Sequence, residues 1–280
     1  QHKTGLHTIY VSPLKALAVD IQRNLMTPVE QMGLNIRIET RTGDTPANRK
    51  QRQKTDPPEI LLTTPEQIAL MVSWPEAPKY FSGLRHIIID ELHALCPNKR
   101  GDLLALGLAR LQTHAPQLVR TGLSATVANP DTLRRYLTPQ NGEGNLAALV
   151  MGADGAAAEV DILDTKERLP WGSHSAIHAM SDVLAAIKKV KTALIFVNTR
   201  SQAERVFREL WAINDDNLEI ALHHGSLARE RRRKVEAAMA AGSLRAVVCT
   251  STLDLGIDWG SVDMVIHVGA PKGASRLAQR

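Results

Sequence analysis

Aromatic side chains are scarce in this sequence: four tryptophans, three tyrosines and three phenylalanines make up 4% of 280 residues. Too few rings are available for a stacking platform under unpaired bases, so a polyanion would be held through its backbone phosphates instead. Cysteine is scarcer still. Cys96 and Cys249 stand far apart in no ligand-like spacing, which excludes a zinc site or disulfide scaffold built on them and reads as reduced thiols in a cytoplasmic protein. No apolar run is long enough to span a bilayer, and the first residues lack a charged start followed by an apolar stretch. A G-x-G-x-x-G turn after the first strand is also missing, which argues against an ordinary dinucleotide-binding metabolic enzyme.

What is present fits a globular chain long enough for two domains, with 44% hydrophobic and 22% charged residues. Lys plus Arg is 34 against 29 for Asp plus Glu, a net +5 compatible with a polyanionic partner. The most informative stretch is Leu84 to Leu95. Ile87, Ile88 and Ile89 form a β-branched run that stops at Asp90 and Glu91, with His93 two residues on. Such a run reads as a buried parallel strand delivering two acids to the carboxyl edge of a sheet, where ligands bind. Neighbouring carboxylates suit a Mg²⁺-nucleotide, one holding the hydrated cation through water and the next orienting the attacking water. The competing reading is a helix cap, since both residue types favour a helix's positive end.

Strand, turn and helix alternate along the chain. Thr8 to Val11 reads as a strand, Ser12-Pro13 as a turn with Ser12 as cap, and Leu14 to Met26 as a helix. Lys15 then sits beside backbone donors at a helix start, suited either to a phosphate or to solvent. Leu34 to Thr40 alternates like a strand and runs into Arg41, Thr42, Gly43 and Asp44. Arg49, Lys50, Arg52 and Lys54 read as a solvated helix face. Ile60 to Leu62 ends in Thr63, Thr64 and Pro65, repeating the hydroxyl-proline turn. Val119 to Leu123 leads to Ser124, Ala125 and Thr126, which either cap the helix from Pro130 or hydrogen-bond the acids.

From Thr138 to Ala158 the composition shifts to Gly, Ala, Asn and Pro, which marks a boundary between domains at residues 1–153 and 154–280. Val160 to Leu163 reads as a strand that either domain can own. Beyond it come helix Ala179 to Val190, strand Ala193 to Val197, helix Ser201 to Trp211, strand Ile220 to Leu222, strand Ala246 to Cys249 and strand Met264 to Val268. Arg229, Arg231, Arg232, Arg233 and Lys234 read as a solvated helix face. Two βαβ arrays in succession predict an α/β protein of two mostly parallel sheets flanked by helices.

Seven short runs in order carry a family resemblance over nearly the whole chain: Ser12 to Leu17, Thr64 to Glu66, Asp90 to His93, Ser124 to Thr126, Phe196 to Arg200, His224 to Ser226, and Leu255 to Asp258. Together they resemble superfamily 2 helicases of the DExH-box type. Ser12 to Asp20, Asp90 to Asp102 and Gly256 to Arg280 resemble the large helicase-related (Lhr-like) proteins, above all their ligase-associated bacterial branch. The resemblance implies two RecA-like domains, ATP and Mg²⁺, a DNA substrate and 3′ to 5′ movement along one strand. It further implies a part in DNA repair or damage response, with a DNA ligase and a metallo-phosphoesterase encoded nearby.

Carried over onto this chain, it implies that Asp90 holds Mg²⁺ through water while Glu91 orients and deprotonates the attacking water. His93 would link the nucleotide site to the DNA contacts, and Ser124 and Thr126 would couple hydrolysis to movement. Lys15, Thr42, Gly43, Thr64, Asn198, Thr199, Arg200, His224, Gly225 and Thr250 would lie along the DNA backbone. Gly256 and Asp258 would approach the nucleotide, and Gln279 with Arg280 would begin the motif that closes on its phosphates.

The family's phosphate-binding loop, G-x-x-x-x-G-K followed by Ser or Thr, is absent; Lys3-Thr4 follows no glycine-rich turn. The expectation is therefore a middle segment of a longer protein, a weak or inactive ATPase by itself. A non-catalytic nucleic-acid-binding scaffold and an RNA helicase are the alternatives.

Overall fold

Short apolar runs with a two-residue repeat form the strands, and each helix between them returns the chain to the same end of the sheet. The computed structural model describes residues 5–125, 127, 129–139, 146–152, 159–165, 176–253, 262–271 and 277. The chain divides into two compact units, Gln1–Gly152 and Ala153–Arg280.

In the first unit the strands are β1 (Thr8–Val11), β2 (Ile38–Arg41), β3 (Ile60–Thr63), β4 (His86–Ile89) and β5 (Val119–Gly122). The helices are α1 (Lys15–Gln31), α2 (Ala47–Thr55), α3 (Pro65–Met71), α4 (Ala77–Phe81), α5 (Leu92–Leu95), α6 (Lys99–His114) and α7 (Pro130–Leu137). Among the described residues the sheet is fully parallel, in the order β2-β3-β1-β4-β5. Its register is level: Arg41 pairs with Thr63, Thr63 with Val11, Val11 with Ile89, and Ile89 with Gly122. Thr42, Thr64, Ser12, Asp90 and Leu123, each the first residue past its strand, therefore share one edge.

Alternation along the strands builds a core on each face. Ile9, Val11, Leu61, Ile87 and Ile89 pack with Ile68, Met71, Phe81, Leu104, Leu108 and Leu111 on one side. Leu62 and Ile38 meet Ala18 of α1 on the other, with Tyr10, Ile21 and Leu25 packed around them. Burying such a side chain contributes about 1.5–3 kcal/mol, so these layers fix the strand order and with it the composition of the edge.

The second unit contains β6 (Ala193–Val197), β7 (Ile220–His223), β8 (Ala246–Cys249) and β9 (Met264–Val268), with α8 (Met180–Ile187), α9 (Arg200–Ala212) and α10 (Arg229–Ala240). The described strands form a parallel sheet in the order β7-β8-β6-β9. Every residue of β6 is buried, as a strand covered by helices on both faces requires. Ile195 and Val197 pack with Val183, Ile187, Val206 and Leu210; Leu194 and Phe196 pack with Met239, Val247 and Cys249. Cys249 is buried and Cys96 is half-buried.

Four local expectations need correction. Ser12 does not cap α1: Leu14 holds the N-cap position, while the Ser12 hydroxyl donates to the Leu14 carbonyl at 3.0 Å. α1 runs past Met26 and through Pro28 to Gln31, since Leu25 and Val29 pack beside Ile38 and Leu62 and offset the hydrogen bond that proline cannot donate. Val160 to Leu163 forms no strand; Val160 and Ile162 are exposed, and alternation without a partner strand specifies nothing. The basic helix α2 is not simply solvated. Gln53 is fully buried and donates to Glu39 at 2.8 Å, and Arg52 Nη2 lies 2.5 Å from both Glu39 carboxylate oxygens.

Candidate functional site

Asp90 and Glu91 occupy the tip of β4. The Asp90 amide donates to the Val11 carbonyl at 2.9 Å, which fixes the tip against β1, and the Asp90 carboxylate accepts from the Glu91 amide at 2.9 Å. Glu91 takes left-handed backbone angles, φ 48° and ψ 44°, and its side chain makes no capping hydrogen bond to α5. Glu91 thus holds the N-cap position of α5 through its backbone and leaves its carboxylate out of the cap. On the neighbouring strand, the Tyr10 phenol is pushed up by burial and then by the Asp90 and Glu91 charges. Burial, then the adjacent Asp90 charge, raises the Glu91 carboxyl above its ordinary value.

One turn further on, α5 brings His93 over the pair. Its Nε2 stands 3.3 Å from Glu91 Oε2, an ion pair when the ring is protonated, and its Nδ1 stands 3.0 Å from Ser124 Oγ. The Ala125 amide donates to the same Nδ1 at 3.3 Å. Ser124 thus serves His93 and not α7, whose N-cap is Asn129. A carboxylate with raised basicity, braced by an imidazole that answers to the next strand, is suited to taking a proton from water and reporting it sideways. Adjacent carboxylate oxygens also suit a hard cation that keeps its waters. Among the described residues no cluster of three His, Cys, Asp or Glu could hold a metal by itself.

The same edge carries the expected backbone contacts of the first unit. Lys15, the first residue of α1, pairs with Asp44 at 3.0 Å, and Gly43 lies directly against the Lys15 ammonium. Thr42 is buried, and its hydroxyl accepts from the Asp44 amide at 3.3 Å. Thr64 is the buried N-cap of α3, with its carbonyl accepting from the Gln67 and Ile68 amides. Lys15, Thr42 and Gly43 are therefore one cluster, and Thr64 follows the end of the intervening strand β3.

In the second unit the carboxyl edge gathers the other set. Thr199 caps α9 by accepting from the Gln202 amide at 3.2 Å, and Asn198 donates to the Ala270 carbonyl at 3.0 Å. Arg200 Nη1 donates to Ser226 Oγ at 2.6 Å, with Gly225 beneath the guanidinium. His224 is 1% exposed; its Nδ1 accepts from the Ser226 amide at 3.3 Å, so the ring braces the turn while Gly225 and Ser226 face outward. The Thr250 amide donates to the His223 carbonyl at 3.3 Å. Thr126, Gly256, Asp258, Gln279 and Arg280 lie outside the described residues.

Two participants escaped the sequence reading. Tyr10 feels the charge of Asp90 only because β1 and β4 are neighbours in this register. Arg100 reaches back from α6 to Glu66 and to the Pro13 carbonyl; it lies in the Asp90 to Asp102 run that carries the resemblance, but nothing in that run gave it a role.

The DEAD/DEAH box helicase model matches residues 1–133, and the helicase conserved C-terminal domain model matches residues 175–280. An ATP-dependent helicase Lhr-Core protein 2 from Thermococcus barophilus is 38% identical over 98% of this chain, which covers 34% of that protein. The solved structure of Mycobacterium smegmatis helicase Lhr bound to ssDNA and AMP-PNP is 36% identical, with a TM-score of 0.79; the match covers all of this chain and 38% of that one. The helicase MrfA bound to DNA and AMPPNP is 25% identical, with a TM-score of 0.76 over 98% of this chain and 39% of that one. The chain spans about a third of the length of the first curated relatives it matches. No helix among the described residues is long and apolar enough to cross a membrane.

Proposed function

Because the chain belongs to the DEAD/DEAH box helicases, with Lhr helicases among its relatives, we propose that it forms the motor core of an ATP-dependent DNA translocase moving 3′ to 5′. The observation that carries this reading is the continuous contact from Glu91 through His93 to Ser124 at the carboxyl edge of the first sheet. Bound ATP with Mg²⁺ supplies an electrophilic γ-phosphorus and neutralises the charge that develops on its oxygens. Asp90 would hold the cation through water, and Glu91 would orient the attacking water and accept its proton at a carboxylate oxygen as the γ-phosphoryl group parts from ADP. His93 registers that proton because its Nε2 faces the Glu91 carboxylate, and Ser124 carries the change to the tip of β5.

The strand grip is assigned to Lys15, Thr42, Gly43 and Thr64 in the first unit and to Asn198, Thr199, Arg200, Gly225 and Thr250 in the second, with His224 bracing the turn that presents Gly225. These residues sit at strand ends and helix starts, where backbone amides and hydroxyls favour phosphate over base edges. The grip is then sequence-independent and weakens steeply with salt. Thr126, Gly256, Asp258, Gln279 and Arg280 complete the nucleotide site in this proposal. A role in DNA repair, beside a ligase and a metallo-phosphoesterase, belongs to the same reading. The 280-residue chain, which has no G-x-x-x-x-G-K run, hydrolyses ATP weakly by itself.

The test is phosphate release by the intact protein with single-stranded DNA, single-stranded RNA or neither, followed by displacement of a strand from duplexes carrying a 3′ or a 5′ tail. DNA-stimulated release with displacement from the 3′-tailed duplex supports the proposal. Release that responds only to RNA, or no release at all, overturns it.

A further inference from the structure

The start of α6 joins two turns that the acid pair does not touch. Arg100 Nε donates to Glu66 Oε1 at 2.5 Å, Nη2 donates to Glu66 Oε2 at 3.2 Å, and Nη1 donates to the Pro13 carbonyl at 2.7 Å. Pro13 belongs to the turn after β1, which leads into Lys15; Glu66 belongs to the first turn of α3, next to Thr64. The strands feeding these turns, β1 and β3, are hydrogen-bonded neighbours. A planar fork satisfied on three nitrogens sets both the distance and the angle between two turns. Burial works against charge on Glu66, but the Arg100 hydrogen bond, a backbone donor, the Thr64 hydroxyl and the Arg100 charge take its carboxyl down to about 2.

The other end of this clamp is the acid site's own helix. Asn98 Nδ2 donates to the Ala94 carbonyl at 2.6 Å, the Asn98 side chain accepts from the Arg100 and Gly101 amides, and Gly101 packs on the Leu95 carbonyl with no room for a side chain. Arg100 is thus held at a fixed offset from α5, which carries His93.

We propose that Arg100 is a positioning residue: it keeps the Pro13 and Glu66 turns at the spacing that fits consecutive phosphates of a nucleic-acid strand, and it ties that spacing to α5. This rests on the assignment of Lys15 and Thr64 to the strand grip. Lysine cannot replace it, because a point charge does not hold two carboxylate oxygens and a carbonyl together.

The experiment is ATP turnover by the intact protein titrated with a single-stranded DNA oligonucleotide, for the wild type, Arg100→Ala, Arg100→Lys, Glu66→Gln and the Arg100→Ala/Glu66→Gln pair. Arg100→Ala is expected to raise the half-saturating DNA concentration about tenfold while turnover at saturation stays within about twofold. Arg100→Lys should fall nearer to alanine than to wild type, and the double variant should be no worse than Arg100→Ala alone. An unmoved half-saturating concentration, losses that add in the double variant, or full rescue by lysine each overturn the inference. Lysine and glutamine keep the test open should alanine fail to fold. A wild type whose turnover ignores DNA overturns the assignment of the strand grip, and the inference with it.

Discussion

His93 and Ser124 meet across the tips of two neighbouring strands, Nδ1 to Oγ at 3.0 Å. The contact joins the helix that follows the acids to the turn that follows β5, so a change at Glu91 has a short route sideways. Ser124→Ala removes one hydrogen bond of about 1 kcal/mol, which is about a fivefold change. Strand separation per ATP is expected to fall by that factor while turnover stays near wild type. Measuring both on one preparation checks this; equal losses would assign the contact to turnover itself.

Glu91→Gln preserves shape and removes the proton acceptor. Turnover should fall at least about 100-fold, with DNA binding retained in a filter or anisotropy assay.

The pH dependence follows from the raised Glu91 carboxyl, whose cause is burial and then Asp90. The group must be charged to accept a proton, so the acid limb of turnover should lie above the ordinary glutamate value of about 4.3. For stability the sign is opposite to that of a paired acid. The unfolded chain gives up this proton first, so the contribution falls as pH rises from the unfolded value through the folded one. Glu91→Gln should remove that slope, as read from urea midpoints across the range.

His223 gives a second titration, in the second unit. It is 2% exposed, with Nδ1 2.9 Å from Thr252 Oγ1 and Nε2 3.1 Å from Glu236 Oε1, and burial outweighs Glu236 to lower its pKa. A depressed histidine contributes stability that is intact above the unfolded value of about 6.5 and is lost as pH falls through the folded one. Protection factors of the β7 and β8 amides, taken relative to intrinsic exchange, should therefore fall between neutral and mildly acid pH, and His223→Gln should flatten that response.

Gly101→Ala should be costly. A Cβ there would overlap the Leu95 carbonyl, which is backbone and cannot turn aside. The expected loss is about 2–4 kcal/mol in denaturant unfolding. At Gly225 a Cβ would rest 3.6 Å from Arg200 Nη2, so Gly225→Ala should change stability by no more than about 0.5 kcal/mol.

The parallel alternation was legible because the strands are short apolar runs broken by hydroxyl, proline and acid residues, each marking a strand end. Ser12 misled as a cap because the buried turn uses its hydroxyl for the Leu14 carbonyl. The α2 arginines misled because their partner Glu39 lies on β2, and charge patterning along one helix cannot reveal a carboxylate on the next strand. Val160 to Leu163 shows the converse, a strand-like repeat with no partner strand among the described residues. Asp90, Glu91 and His93 were readable from local order, whereas Tyr10 and Arg100 depend on which strands lie side by side.

Glu91 sits at φ 48°, a conformation that a residue with a Cβ adopts at a cost of about 1–2 kcal/mol. Glycine would relieve that strain, so Glu91→Gly is expected to raise the thermal midpoint by about 2–8 °C while abolishing ATP turnover. Ranking variants of this unit by heat resistance alone would reward those that had lost their chemistry.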